Sequence, residues 1–182
     1  MNGFLNLYKP KGVSSARVLN AVKRSLKGET VGHMGTLDPL ADGVLPVAVG
    51  KSTRLFDYLL DKNKEYVATV AFGFSTDSYD LEGEITQRSD VLPSDAELEA
   101  ACKKLTGDIM QIPPIYSAKC VNGKRSYELA RKGVAVDLPP KKVTVKSIRV
   151  LDKISESEYK IKIVCGGGTY IRAIARDLGL LC

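Results

Sequence analysis

The spacing of apolar and polar positions changes repeatedly along this 182-residue chain, and each change marks an element. In KEYVATVAFGF, residues 64–74, Tyr66, Ala68, Val70, Phe72 and Phe74 fall on every second position, the period of a strand with one covered face. KKVTVKSIRVLD and EYKIKIVC read as strands in the same way, and GVLPVAVG reads as a short buried one. Helical spacing governs SSARVLNAVKRSLKG, where Val18, Leu19, Val22 and Leu26 form a stripe, Ser14 or Ser15 can cap the start and Gly28 can end it. SDAELEAACKKLTG carries a capping box, Ser94 with Glu97, a stripe of Leu98, Ala101, Cys102 and Leu105, and Gly107 as its stop.

STRLFDYLLD reads as a further helix, and GGGTYIRAIARDLG as a glycine turn leading into one. FLNLYKPKG is a short strand broken at Pro10 and Gly12. The stretch from residue 31 to the GVLPVAVG strand and the run FSTDSYDLEGE read as loops, and Asn122-Gly123 marks a tight turn before a short helix ending at Gly133. Strands and helices are mixed without regular βαβ alternation. The expected class is α+β, with a mixed, mostly antiparallel central sheet flanked by helices and loops.

Length and composition narrow this little. Hydrophobic content is 44% and charged content 26%, ordinary for a globular chain, and one domain over 1–182 is expected. There is no apolar run of about 18 residues to span a bilayer, and MNGFLNLYKPKG lacks the apolar core of a signal peptide. A cytoplasmic location is expected. Cys102, Cys120, Cys165 and Cys182 are widely spaced with no CxxC pair, so reduced thiols are expected. The charge does change the picture. Between Lys119 and Lys146 lie eight basic and two acidic residues, an excess equal to the +6 of the whole chain. Such a segment is either a solvated basic face or a contact for phosphates.

Several chemistries are poorly supported. VAVGKST imitates a phosphate loop, but that motif needs glycine at 45, where Leu45 stands. One histidine and no paired acidic-histidine spacing make a poor metal set. His33 and Asp38 are close in sequence, yet there is no GxSxG elbow for a serine nucleophile. Asp38 itself remains. Pro39 fixes the chain after it and biases it away from helix, and Gly32, Gly35 and Gly43 allow close approach of a backbone or polymer.

GHMGTLDPLADGVLPVAVGKST resembles the catalytic motif of the TruB-type tRNA pseudouridine synthases. LNLYKPKGVSS, KEYVATVAFGFSTDSYDLEGE, IPPIYSAKCVNGKRSYELARKG and GGGTYIRAIARDLG resemble further motifs of that family, in order, from about residue 3 to 179. The resemblance implies a pseudouridine synthase fold with an RNA-gripping insertion at 109–140. It implies an isomerase that converts a T-loop uridine of tRNA to pseudouridine after flipping it out, with no cofactor and no metal. Asp38 is then the catalytic carboxylate, Arg172 its partner, and Tyr66 the ring beside the uracil, able to move a proton late in the reaction. His33, Asp80, Tyr170 and Lys9 match positions expected near RNA, and Lys119, Lys124, Arg125 and Arg131 are phosphate candidates. His33 then reads as an RNA contact rather than a general base. The family's pattern runs past residue 182, so neither its closing strand nor a C-terminal RNA-binding domain is expected within this chain. A monomer without a protein partner is expected, and a tRNA-binding module without chemistry is the competing reading.

Overall fold

A computed structural model of the chain describes residues 1–59, 63–117, 120–121, 124–125 and 138–182, the strands at 120–121 and 124–125 by backbone alone. The chain divides into two compact units, Met1–Lys62 and Asn63–Cys182.

In the first unit, β1 (Gly3–Lys9), β2 (Val31–His33) and β3 (Gly43–Val49) form an antiparallel sheet in the order β1-β3-β2. The helix α1 (Ser15–Ser25) begins as its sequence dictates, with the Ser14 side chain accepting from the Arg17 N–H. Its stripe of Val18, Leu19, Val22 and Leu26 packs on Val31, Leu45, Val47 and Val49, all four nearly inaccessible to water. Burial of such side chains stabilises by about 2 kcal/mol each. Two details differ from expectation. Residues 31–33 pair as a strand, because β3 offers Val31 a buried slot opposite Val49. STRLFDYLLD opens as a 3-10 turn (Gly50–Leu55), followed by the single helical turn α2 (Phe56–Leu59). The Thr53 hydroxyl donates back to the Gly50 carbonyl, an i to i−3 bond that suits the tighter coil.

The second unit is built on a four-stranded antiparallel sheet, β4 (Lys64–Ala71), β11 (Glu158–Cys165), β10 (Lys141–Lys153) and β7 (Gly107–Gln111), in that spatial order. The expected face of KEYVATVAFGF holds through Val70, but the strand stops at Ala71 and the chain turns at Gly73 into β5 (Phe74–Thr76), which pairs with β6 (Ile85–Arg88). The helix α3 (Asp95–Lys104) has the full capping box: Ser94 accepts from the Glu97 N–H, and Glu97 accepts from the Ser94 N–H. With the last helix, α4 (Ile171–Leu181), it covers one face of the sheet. Leu98, Ala101, Cys102, Ile174 and Leu178 meet Val145, Tyr159, Ile161, Ile163 and Cys165 there. The two-residue strands β8 (Cys120–Val121) and β9 (Lys124–Arg125) pair antiparallel; the turn expected at Asn122-Gly123 lies outside the described residues. The short helix expected before Gly133 lies outside the described residues. No described helix is long and apolar enough to cross a membrane.

Candidate active site

Asp38 sits in the first unit, in a loop whose backbone is held from several sides. The Asp38 carbonyl accepts from the Ala41 N–H at 3.1 Å, closing a turn with Pro39 in its second position, where a fixed φ is favourable. The preceding residue is bracketed by Ser15. The Leu37 N–H donates to Ser15 Oγ at 2.9 Å, and the same hydroxyl donates to the Leu37 carbonyl at 2.8 Å. The following carbonyl, of Pro39, accepts from the Gly12 N–H at 2.8 Å. Ser15 is 1% exposed, so this lock is dry. The candidate carboxylate, itself half-buried, is thus presented by main chain whose flanking polar groups are committed.

Lys9 completes the lock and corrects an expectation. It is wholly buried, with Nζ donating to the carbonyls of Pro10 at 2.8 Å, Val13 at 2.7 Å and Pro39 at 3.5 Å. An ammonium with three donors spent on three carbonyls is not presented to a phosphate. It ties the turn after β1 to the loop of Asp38. His33, at the end of β2, is half-buried with Nδ1 2.6 Å from the Gly35 carbonyl. Gly32 has a packing reason to lack a side chain, since a Cβ there would stand 2.9 Å from the Phe56 ring.

The second unit contains Tyr66, Asp80, Tyr170 and Arg172. Tyr66 is half-buried on β4, opposite Ile163, and packs on the core of the sheet. Arg172 lies in the first turn of α4 and draws in two distant segments. Its Nη1 stands 3.2 Å from Asp80 Oδ2 and donates to the Ser78 carbonyl at 2.9 Å, while Nη2 donates to the Tyr116 carbonyl at 2.9 Å. Asp80 is equally occupied. Its Oδ1 accepts from the Ser78 hydroxyl at 2.6 Å and the Glu82 N–H at 3.0 Å. What reads in sequence as a polar loop is therefore a tight knot. A Cβ on Gly83 would collide with Ser78 Oγ and Asp77 Oδ1, so only glycine closes it. Next to Asp80, Tyr79 takes φ +60°, the left-handed region, with the Arg176 guanidinium 5.0 Å from its ring centre. Arg176 also pairs with Asp177 at 2.6 Å, and burial pushes that carboxyl above its usual range although Arg176 opposes the shift.

Tyr170 is the N-cap of α4 and has no capping side chain. Its main chain is held instead by Gln111, a residue the sequence did not single out. Tyr116 and Ser78 were missed as well, because their contribution to Arg172 is a backbone carbonyl, which carries no residue signature. Of the expected phosphate contacts, Lys119 and Arg131 lie outside the described residues, and Lys124 and Arg125 are described as strand β9 without their side chains. Among the described residues, no cluster of three or more histidine, cysteine, aspartate or glutamate side chains could hold a metal ion.

Comparison with known proteins bears on what these residues serve. Residues 23–171 match the family described as "TruB family pseudouridylate synthase (N terminal domain)". The chain is 43% identical to tRNA pseudouridine synthase B of Rickettsia africae (strain ESF-5), covering 98% of this chain and 52% of that protein. It is 45% identical to the protein of the same name from Clostridium novyi (strain NT), covering 98% of this chain and 62% of the relative. The chain thus spans between half and two thirds of the length of these curated relatives. Among solved structures, a chain from "Crystal Structure of a Cbf5-Nop10-Gar1 Complex" aligns with a TM-score of 0.68 at 32% identity, over 98% of this chain and 44% of that one. A chain from "Structure of H/ACA RNP bound to a substrate RNA containing 2'-deoxyuridine" aligns at 0.66 and 29% identity, over 98% of this chain and 42% of that one. With the α+β architecture and the sequence motifs in agreement, the chain belongs to the TruB family of pseudouridylate synthases and corresponds to its N-terminal domain.

Proposed function

We propose that this chain converts a uridine in the T-loop of tRNA to pseudouridine, with Asp38 as the catalytic carboxylate. The observation that carries the reading is the lock around Asp38. Ser15 holds Leu37, and Gly12 and Lys9 hold the Pro39 carbonyl, so the main chain is fixed on either side of it, which is what a carboxylate held ready for reaction needs. The family and its relatives named for tRNA supply the reaction class.

The reaction is an isomerisation with no net redox change. The bond from the ribose C1′ to N1 breaks, the uracil turns, and a bond from C1′ to C5 forms. The proton on C5 leaves and N1 gains one. An ionised Asp38 serves as nucleophile or base for this sequence. Arg172 is assigned to pair with it and keep it ionised where water is excluded. Tyr66 is assigned to lie against the flipped uracil and to move the late proton. Flipping the uridine costs about a few kcal/mol, and contacts to the RNA supply it. His33 and Tyr170 are assigned to the RNA surface, and Lys119, Lys124, Arg125 and Arg131 of the 109–140 insertion to its phosphates. Asp80 is assigned to the RNA side of the site as well as to Arg172, which its carboxylate meets at 3.2 Å.

Loss of the C5 proton gives a direct test. A T-stem-loop RNA carrying tritium at C5 of its uridines should release tritium to water with this chain, from one uridine per hairpin. Binding without release supports a tRNA-binding module instead, and release from an unstructured RNA of the same composition would overturn the T-loop assignment.

A further inference from the structure

The stretch that runs from Gln111 to Tyr116 touches α4 at three successive places. Gln111 meets Tyr170, Tyr116 meets Arg172, and the Ile112 carbonyl accepts from Arg176 Nη1 at 3.1 Å. The first contact differs in kind from the other two. Gln111 is 1% exposed, and its amide engages both polar groups of one residue. Its Oε1 accepts from the Tyr170 N–H at 2.9 Å, and its Nε2 donates to the Tyr170 carbonyl at 3.2 Å.

We propose that Gln111 is a positioning residue for Arg172, acting by clamping the main chain of Tyr170 at the start of α4. The proposal rests on the reading of Arg172 given above. Tyr170 is the N-cap, and its carbonyl also accepts the first bond of the helix, from the Ile174 N–H at 3.1 Å. Its own N–H has no place inside the helix. Gln111 satisfies that N–H and anchors it to β7, where Gln111 pairs with Lys141 on β10, one of the two central strands. The sheet therefore fixes where α4 begins and how its first turn is rotated. Arg172 follows two residues later, and its long side chain magnifies any rotation of that turn at the guanidinium.

The chemistry asks for glutamine in particular. The clamp needs one acceptor and one donor at the two ends of a planar group, which an amide provides and a carboxylate or thioether does not. Gln111→Met keeps the length and removes both bonds. Gln111→Glu sets a second acceptor against the Tyr170 carbonyl.

The experiment compares wild type, Q111M, Q111E and a control, Leu98→Ala, which loosens the same core from α3. Single-turnover conversion and Kd are measured on a T-stem-loop RNA, and the structure of Q111M is solved. The proposal expects Q111M and Q111E to slow conversion by about 30-fold or more with Kd within about threefold, while L98A stays within about threefold in both. Conversion by Q111M at the wild-type rate, or an equal loss in L98A, would overturn it. If wild type converts nothing, the proposed function of this chain fails on its own, and the Q111M structure decides the clamp. A guanidinium of Arg172 displaced from the 3.2 Å contact with Asp80 supports the proposal, and an unmoved one refutes it.

Discussion

Arg172 and Asp80 form a 3.2 Å ion pair whose side chains are 13% and 8% exposed. At such burial the pair is held by geometry and by its extra hydrogen bonds, and breaking it from one side leaves an uncompensated charge. Asp80→Ala is expected to destabilise the second unit by about 3 kcal/mol, by the same argument. Asp80→Asn keeps an oxygen for the Ser78 hydroxyl and the Glu82 N–H and should cost less. Urea titrations of both variants read the difference directly. Equal, small losses would show that Arg172 does not depend on Asp80.

Lys9 makes an opposite point about the first unit. A lysine in a basic protein of an RNA-modifying family invites assignment to phosphate, but this ammonium is buried on three carbonyls. Lys9→Met keeps much of the volume and orphans the Pro10 and Val13 carbonyls. The expected loss is about 2 kcal/mol of stability. The salt dependence of RNA binding should stay that of wild type. A slope reduced by about one would return Lys9 to the phosphates.

The basic insertion should behave in the other way. Lys124 and Arg125 form β9, paired with β8, and replacing both by glutamine is expected to lower the log–log slope of affinity against salt by about two, one for each lost phosphate contact. An unchanged slope would make the cluster an ordinary solvated face.

How much of this was readable beforehand follows from what each residue does locally. Helix α1, the capping box at Ser94 and the long strands β4, β10 and β11 repeat one simple period, and the structure follows them. Strands β6 and β7 carry no such signal. Ile85–Arg88 is exposed throughout, and in Gly107–Gln111 only the last residue is buried. Motif spacing pointed to Asp38 and Arg172 as residues. It did not show what holds them, because Ser15, Lys9, Gln111 and Asp80 act through contacts with Leu37, Pro39, Tyr170 and Arg172, each 22 or more residues away. A buried lysine, or a glutamine that clamps a backbone, looks in sequence like any other.

The thiols offer a check on packing that is independent of RNA. Burial, with smaller contributions from Cys182 and Glu99, pushes the Cys102 thiol up to about 11. Roughly one molecule in a thousand then carries the thiolate at pH 8, and the thiolate is the reactive form. Alkylation of Cys102 by iodoacetamide in the folded protein should run on the order of a hundredfold slower than for a free thiol, near its ordinary pKa of about 8.5. The rate should rise about tenfold for each pH unit while the fold persists. Reaction at the free-thiol rate would mean that α3 does not sit on the sheet as described.

The proposed reaction turns on one carboxylate. Asp38→Asn preserves the size of the side chain and leaves the Asp38–Ala41 turn and its flanking bonds intact. Wild type and D38N should be incubated side by side with an unmodified T-stem-loop RNA, and pseudouridine mapped by chemical labelling and primer extension. Wild type should give pseudouridine at a single T-loop uridine and D38N none, with RNA affinity of D38N within roughly tenfold of wild type, about 1.4 kcal/mol. Conversion by D38N near the wild-type rate would contradict this and remove Asp38 from the reaction.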